Sequence, residues 1–285
     1  MDIQIRDPFV VPVQKEERYY LFGSTDKNIW DGPGKGFDYY IGADLENWEG
    51  PFTAFQPPVG FWGTSNFWAP EVHFYRGCYY MFASFKAPGR CRGTQIFTAD
   101  QPGGPFQPIT AGPITPRDWE CLDGTLYVEE GQPFIVFCHE WVQVRDGEIC
   151  AMRLSPDLKD PAGEPQLLFK ASTAPWAKSF GDGNRVTDGP FIWMAPDGML
   201  LMLWSSMGEK GYATGVACSE TGSITGPWKQ SGKPLYDEDG GHGMIFGAFA
   251  GTLYLSIHKP NDTPHERPLF LPLRYEKGKL ALGAL

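Results

Sequence analysis

The sequence predicts an all-β protein, a five-bladed β-propeller, from three observations. A hairpin of two short apolar strands recurs five times along the 285 residues. Gly-Pro-aromatic corners follow three of these hairpins. Helical periodicity is nearly absent. With Gly 35, Pro 26 and 15% aromatics, the composition suits many turns joining short aromatic strands.

The first unit pairs Asp7–Val13 with Arg18–Gly23. The second pairs Pro70–Tyr75 with Tyr79–Ser84 across Arg76-Gly77, and the third pairs Asp123–Val128 with Phe134–Cys138 across Glu130-Gly131. The fourth pairs Asp188–Met194 with Leu200–Ser205 across Pro196-Asp197-Gly198, and the fifth pairs His242–Ala248 with Leu253–His258 across Ala250-Gly251. Third strands follow at Phe37–Ala43, Thr94–Ala99 and Tyr212–Ser219, leading to the corners Gly50-Pro51-Phe52, Gly104-Pro105-Phe106 and Gly226-Pro227-Trp228. The Trp of the Gly-Pro-Trp corner, Trp228, is expected to be a blade-packing group. The anchors Asp7, Glu71, Asp123, Asp188 and His242 stand 52 to 65 residues apart, about one four-stranded blade each. No linker or charge block divides the chain, so residues 1–285 are expected to form one catalytic propeller domain.

In a propeller the first strand of each blade lines the central channel, and the second returns to the same mouth. First-strand starts then bring Asp7, Glu71, Asp123, Asp188 and His242 to that mouth. Second-strand ends bring Ser24, Ser84, His139-Glu140, Ser205 and His258-Lys259. Any single Asp before Gly or Pro is usually a turn residue bonding its own backbone. Three in one structural slot point elsewhere. Acids crowded at a closed mouth have their pKa values driven apart, which glycoside hydrolysis requires of its acid and base. Carboxylates on separate blades favour the wide spacing of roughly 6.5–9.5 Å that admits a water and inverts configuration. Phe67, Trp68 and Trp141, with Phe61 and Trp62, are candidates to stack on a sugar ring, and Ser84, Glu71 and His242 to contact the substrate through polar groups.

A net charge of −10 argues against nucleic acid or a membrane surface and suits a neutral carbohydrate partner. No run approaches the ~20 apolar residues of a membrane span. The start Met1-Asp2-Ile3-Gln4-Ile5-Arg6 has no apolar signal core. With Met1 native the chain is expected in the cytoplasm; a removed leader would make it periplasmic or secreted. Cys78, Cys138 and Cys218 lie in apolar runs and read as buried free thiols. His73, His139, His258 and His265 show no metal spacing.

These motifs resemble those of glycoside hydrolase family 43, the five-bladed arabinofuranosidases and xylosidases, over essentially the whole chain. Arg6-Asp7-Pro8-Phe9 is similar to the first-blade motif and Trp68-Ala69-Pro70-Glu71 to the second. Leu122-Asp123-Gly124 matches the third and Gly240-Gly241-His242-Gly243 the fifth. The resemblance implies that Asp7 is the general base and that Asp123 orients and tunes the acid. It implies no cofactor for the chemistry, and a possible structural calcium beside His242. One position departs. The family's fourth-blade acid is usually Glu, whereas this chain has Asp188 in Thr187-Asp188-Gly189-Pro190. Asp reaches ~1.5 Å less, and a misplacement of ~1 Å can cost about 10²-fold. Glu140 is the substitute acid that the hairpin register offers, and Asp182 a weaker one. The expected activity is inverting, exo-acting removal of α-L-arabinofuranosyl units. β-Xylosidase and arabinanase activities are the alternatives within the family, and a non-catalytic carbohydrate-binding propeller is the alternative outside it.

Overall fold

The computed structural model describes residues 1–283. Twenty strands form five antiparallel sheets of four, each in sequential order. Blade one is β1 (Arg6–Val13), β2 (Arg18–Ser24), β3 (Phe37–Gly42) and β4 (Trp48–Phe55). Blade two is β5 (Ser65–Tyr75), β6 (Cys78–Ala87), β7 (Arg90–Ala99) and β8 (Gln107–Pro108). Blade three is β9 (Cys121–Glu129), β10 (Gln132–His139), β11 (Glu148–Arg153) and β12 (Gln166–Lys170). Blade four is β13 (Asp188–Met194), β14 (Leu200–Gly208), β15 (Gly211–Ser219) and β16 (Trp228–Gln230). Blade five is β17 (Gly241–Gly247), β18 (Leu253–Lys259), β19 (Arg267–Glu276) and β20 (Lys279–Leu282). Among the described residues the α-helical content is one turn, α1 (Trp141–Val144). The five-bladed propeller expected from the hairpin rhythm is the fold.

The aromatic content goes between blades. Phe37, Phe55, Phe67, Phe85 and Phe97 form a buried ring cluster joining blades one and two, with Phe55–Phe97 and Phe67–Phe85 centroids each 4.7 Å apart. Phe61 and Trp62 pack on the same cluster, and the Trp62 indole N–H donates to Gln95. Phe67 is therefore a core residue, not a sugar platform. Trp228 packs on a buried cluster drawn from blades three and four and donates to Ile224 O, as expected of a blade-packing residue. All six cysteines are unpaired: Cys121, Cys138 and Cys150 are buried, whereas Cys78, Cys91 and Cys218 are half-buried.

Among the described residues no strand is exchanged between the first and last blades. The ring closes by packing and hydrogen bonds between blades five and one. Ser256 Oγ donates to Pro8 O at 2.8 Å, Phe249 N–H donates to Tyr19 Oη at 2.9 Å, and the Tyr19 and Phe249 rings stack at 4.3 Å. Phe246 and Met244 of β17 are buried in the blade-one cluster.

Candidate active site

Each innermost strand carries a register irregularity near its start, β5 carrying a second one at Asn66 (φ 49°), and at the equivalent point of each strand one residue takes a left-handed backbone. These residues are Asp7 (φ 56°), Ala69 (47°), Asp123 (55°), Gly189 (50°) and His242 (55°). Positive φ is uncommon away from glycine, and bulges that re-aim side chains recur next to active sites. Asp7, Asp123 and His242 share this slot. Asp188 stands one residue before it, level with Arg6, Trp68, Leu122 and Gly241, as the strand pairings show. Glu71 stands two residues beyond it. The five anchors thus occupy three different positions. Gly189 has a steric reason to be glycine: a Cβ there would lie 2.8–3.1 Å from the His242 ring.

The left-handed residues are tied from blade to blade. Ala69 N–H donates to Ser24 Oγ (2.8 Å), Asp123 N–H to Ser84 Oγ (2.9 Å) and His242 N–H to Ser205 Oγ (2.8 Å). Asp7 N–H donates to His258 Nδ1 (3.2 Å), closing the ring. Gly189 N–H instead reaches the Asp123 carboxylate, 3.0 Å from Oδ2. Ser84 is wholly buried in this role, so its hydroxyl serves the backbone and not a substrate.

A cavity of about 240 Å³ opens over this ring, with Asp7, Asp123, Asp188, Glu140 and His242 in its wall beside Arg6, Trp30, Trp68, Trp141 and Tyr212. Ser24 Oγ donates to Asp7 Oδ2 at 2.7 Å, and His242 Nδ1 lies 3.1 Å from Asp7 Oδ1 and 3.7 Å from Asp123 Oδ2. Tyr212 Oη donates to Asp188 Oδ2 at 2.9 Å. Glu140 is ion-paired with Arg92, which also bonds Asn66 and lies 4.2 Å over the Trp68 ring.

The acids separate electrostatically. Burial alone would raise the Asp7 pKa, but His242, Arg6 and His258, together with the Ser24 hydroxyl, outweigh it and hold the carboxyl below its usual range. Burial raises Asp123 to about 8, helped by Asp188 and Asp7 and opposed by His242. Burial also raises Asp188, against His242, Tyr212 and Arg6. Glu140 is raised by burial, with Arg92 pulling the other way. Burial would lower His242, but Asp7 and Asp123 raise it overall.

Of the residues expected at the mouth, Asp7, Asp123, Asp188, Glu140, Trp68, Trp141 and His242 line the cavity. Glu71 does not: it is buried against His73 Nε2 at 3.1 Å. Asp182 is likewise absent from the wall, where only its carbonyl is bonded by Arg145 nearby. Trp30, Tyr212, Arg92 and Asn261 were not legible as site residues. Trp30 comes from the blade-one loop, 49% exposed, with Arg6 5.1 Å over its ring and its indole N–H on Thr263. Tyr212 stands at the start of a third strand, which meets the second-strand end at the mouth; that alternation brings the strand start there but does not say which side chain turns inward.

The calcium expected beside His242 finds no side-chain cage. Among the described residues no group of three or more His, Cys, Asp or Glu is arranged to hold a metal. His242 offers one buried, unpartnered nitrogen, Nε2, whereas calcium takes six to eight oxygens. These side chains do not fit it, and no chemistry is assigned to it.

The sequence pattern of glycosyl hydrolases family 43 matches residues 2–279. The chain belongs to this family. As a family 43 protein it is a glycosidase, and the family's chemistry needs no cofactor. It is 43% identical to a solved structure described as an endo-arabinase from Bacteroides thetaiotaomicron VPI-5482, with TM-score 0.90, covering 98% of this chain and 97% of that one. It is 24% identical over 266 residues to the extracellular exo-alpha-(1->5)-L-arabinofuranosidase ArbA of Cellvibrio japonicus (strain Ueda107), covering 86% of this chain and 72% of that protein. The structure of an alpha-L-arabinofuranosidase from Lactobacillus brevis shares the family 43 fold at 18% identity and TM-score 0.80, covering 98% of this chain and 93% of that one. No helix among the described residues is long and apolar enough to cross a membrane.

Proposed function

We propose that this family 43 glycosidase is an inverting, exo-acting enzyme that removes terminal α-L-arabinofuranosyl units from arabinose-containing carbohydrate. The observation that carries this reading is the convergence of one acidified and two basified aspartates at the floor of a small cavity. Its 240 Å³ falls below the roughly 300–1,000 Å³ of ordinary ligand pockets, which favours one sugar ring over a length of chain.

Asp7, kept ionised, takes a proton from the water that attacks the anomeric carbon. Asp188, whose burial favours the protonated form, gives its proton to the glycosidic oxygen as that bond breaks. Its Oδ2 is occupied by the Tyr212 hydroxyl, which leaves Oδ1 to carry the proton. Asp123 orients this acid by holding the Gly189 N–H, the peptide next to Asp188. After turnover Asp7 carries a proton from the attacking water and the Asp188 proton has gone to the leaving hydroxyl; exchange with solvent restores both. Burial favours the protonated form of Glu140 too, but the paired Arg92 pulls against it, so Glu140 is the less suited proton donor; it suits a sugar hydroxyl. Trp68 and Trp141 offer apolar faces to the ring.

The 43%-identical structure described as an endo-arabinase supports a second reading, internal cleavage of arabinan by the same acids. Digestion of linear arabinan discriminates between them. Exo action releases arabinose from the first minutes with little loss of viscosity; early oligosaccharides and a rapid fall in viscosity would establish the endo reading. In the same assays Asp188→Asn should lose activity on arabino-oligosaccharide and recover most of it on a nitrophenyl arabinofuranoside, whose leaving group needs little protonation. Recovery in Glu140→Gln instead would transfer the acid role. Asp7→Asn should lose about 10²–10⁴-fold on both substrates.

A further inference from the structure

The ring of interblade hydrogen bonds has one irregular position. Ser24, Ser84, Ser205 and His258 each stand opposite the residue preceding the left-handed slot in their own blade, and each accepts the left-handed N–H of the next blade. The equivalent residue of blade three is Cys138, paired with Leu122. Its sulfur is a weak acceptor, and among the described residues it makes no hydrogen bond with the next slot, Gly189. The Gly189 N–H goes to Asp123 Oδ2 instead. Cys138 is wholly buried. Its thiol is pushed well above the usual range, first by burial and then by the charges of Asp123 and Asp188, with the Thr187 hydroxyl pulling the other way.

We propose that Cys138 is a positioning residue for catalysis: by withholding a hydroxyl from the ring, it leaves the Gly189 N–H free to bind Asp123 and so couples the tuning acid to the peptide beside Asp188. A hydroxyl at this point would compete for that N–H at the 2.8–2.9 Å seen in the serine positions. Asp123 would lose its donor, and the Asp188 peptide would be held by the blade instead of by the catalytic carboxylate. The effect concerns delivery of a proton to the leaving oxygen, so it should depend on the leaving group. This inference rests on Asp188 as the acid.

The test compares Cys138→Ser, Cys138→Thr and Cys138→Ala with the wild type and Asp188→Asn, on an arabino-oligosaccharide and on a nitrophenyl arabinofuranoside. The two hydroxyl variants should lose about tenfold or more in kcat on the oligosaccharide, within the range that ~1 Å displacements produce. KM should change less than twofold, and the nitrophenyl substrate should lose much less. Cys138→Ala adds no acceptor and should lose less than threefold on both. Full activity of the hydroxyl variants, an equal loss in Cys138→Ala, or the same loss on both substrates overturns the proposal. Failure of both hydroxyl variants to fold also counts against it, because the same slot holds serine in three other blades. If Asp188→Asn keeps activity on the oligosaccharide, the acid assignment itself fails. An impaired Asp188→Asn with wild-type behaviour in Cys138→Ser sinks only the role of Cys138.

Discussion

Asp123 stands against stability. Its folded pKa is raised to about 8, first by burial and then by Asp188 and Asp7. A carboxyl raised in the folded state binds its proton more tightly there than in the unfolded chain. Its contribution is therefore full below the unfolded value near 4 and is lost as pH climbs toward 8. Asp123→Asn keeps an oxygen to accept the Gly189 N–H but never ionises. Thermal melts should show the variant more stable than the wild type at pH 8, with the gain shrinking toward zero at pH 4, while kcat falls at least 10²-fold. A constant difference across pH would mean that ionisation of Asp123 costs the fold nothing. Asp7 has the opposite sign, because His242, Arg6 and the Ser24 hydroxyl reward its ionised form.

At the scale of the strand pair, the determinant is the irregularity that opens each blade. It turns one residue left-handed and leaves its N–H to be met by the neighbouring blade. Removing a serine from this ring strands a buried donor, which costs roughly 1–3 kcal/mol. Ser205→Ala should therefore lower stability by about that much, measured by denaturant unfolding, because it releases the His242 N–H. Little loss would mean that water replaces the hydroxyl. The hairpins themselves were legible: β1, β9, β13 and β17 begin at or within two residues of the predicted starts. The irregularity was not, since the extra residue inverts the alternation so close to the strand start that too few residues precede it to show the break. The one-residue offset of Asp188 from Asp7 and Asp123 went unseen for that reason, and so did the burial of Glu71 against His73.

On the scale of the whole molecule, closure among the described residues has no exchanged strand to rely on, and packing of blade five on blade one carries it. The exposed pair Arg267–Asp2 bridges the same blades but contributes little. Phe246 lies 5.6–6.3 Å from the rings of Tyr254, Phe270 and Tyr19. Phe246→Ala should cost about 3–5 kcal/mol and lower the midpoint of a single unfolding transition. A separate early transition confined to blades one and five would show that closure is not cooperative with the rest. By itself the sequence determined the propeller, its five hairpins, the acids at Asp7, Asp123 and Asp188, and the return of Glu140 to the mouth. Each follows from strand period and spacing, which are local properties. Only the tertiary structure decided that Phe67 and Ser84 serve the core and the ring. It alone brought in Trp30, Tyr212 and Arg92, and it alone tied Glu140 to Arg92 while Asp188 met a neutral hydroxyl. Those outcomes depend on which side chains from different blades converge across the central channel, and no spacing along the chain encodes that.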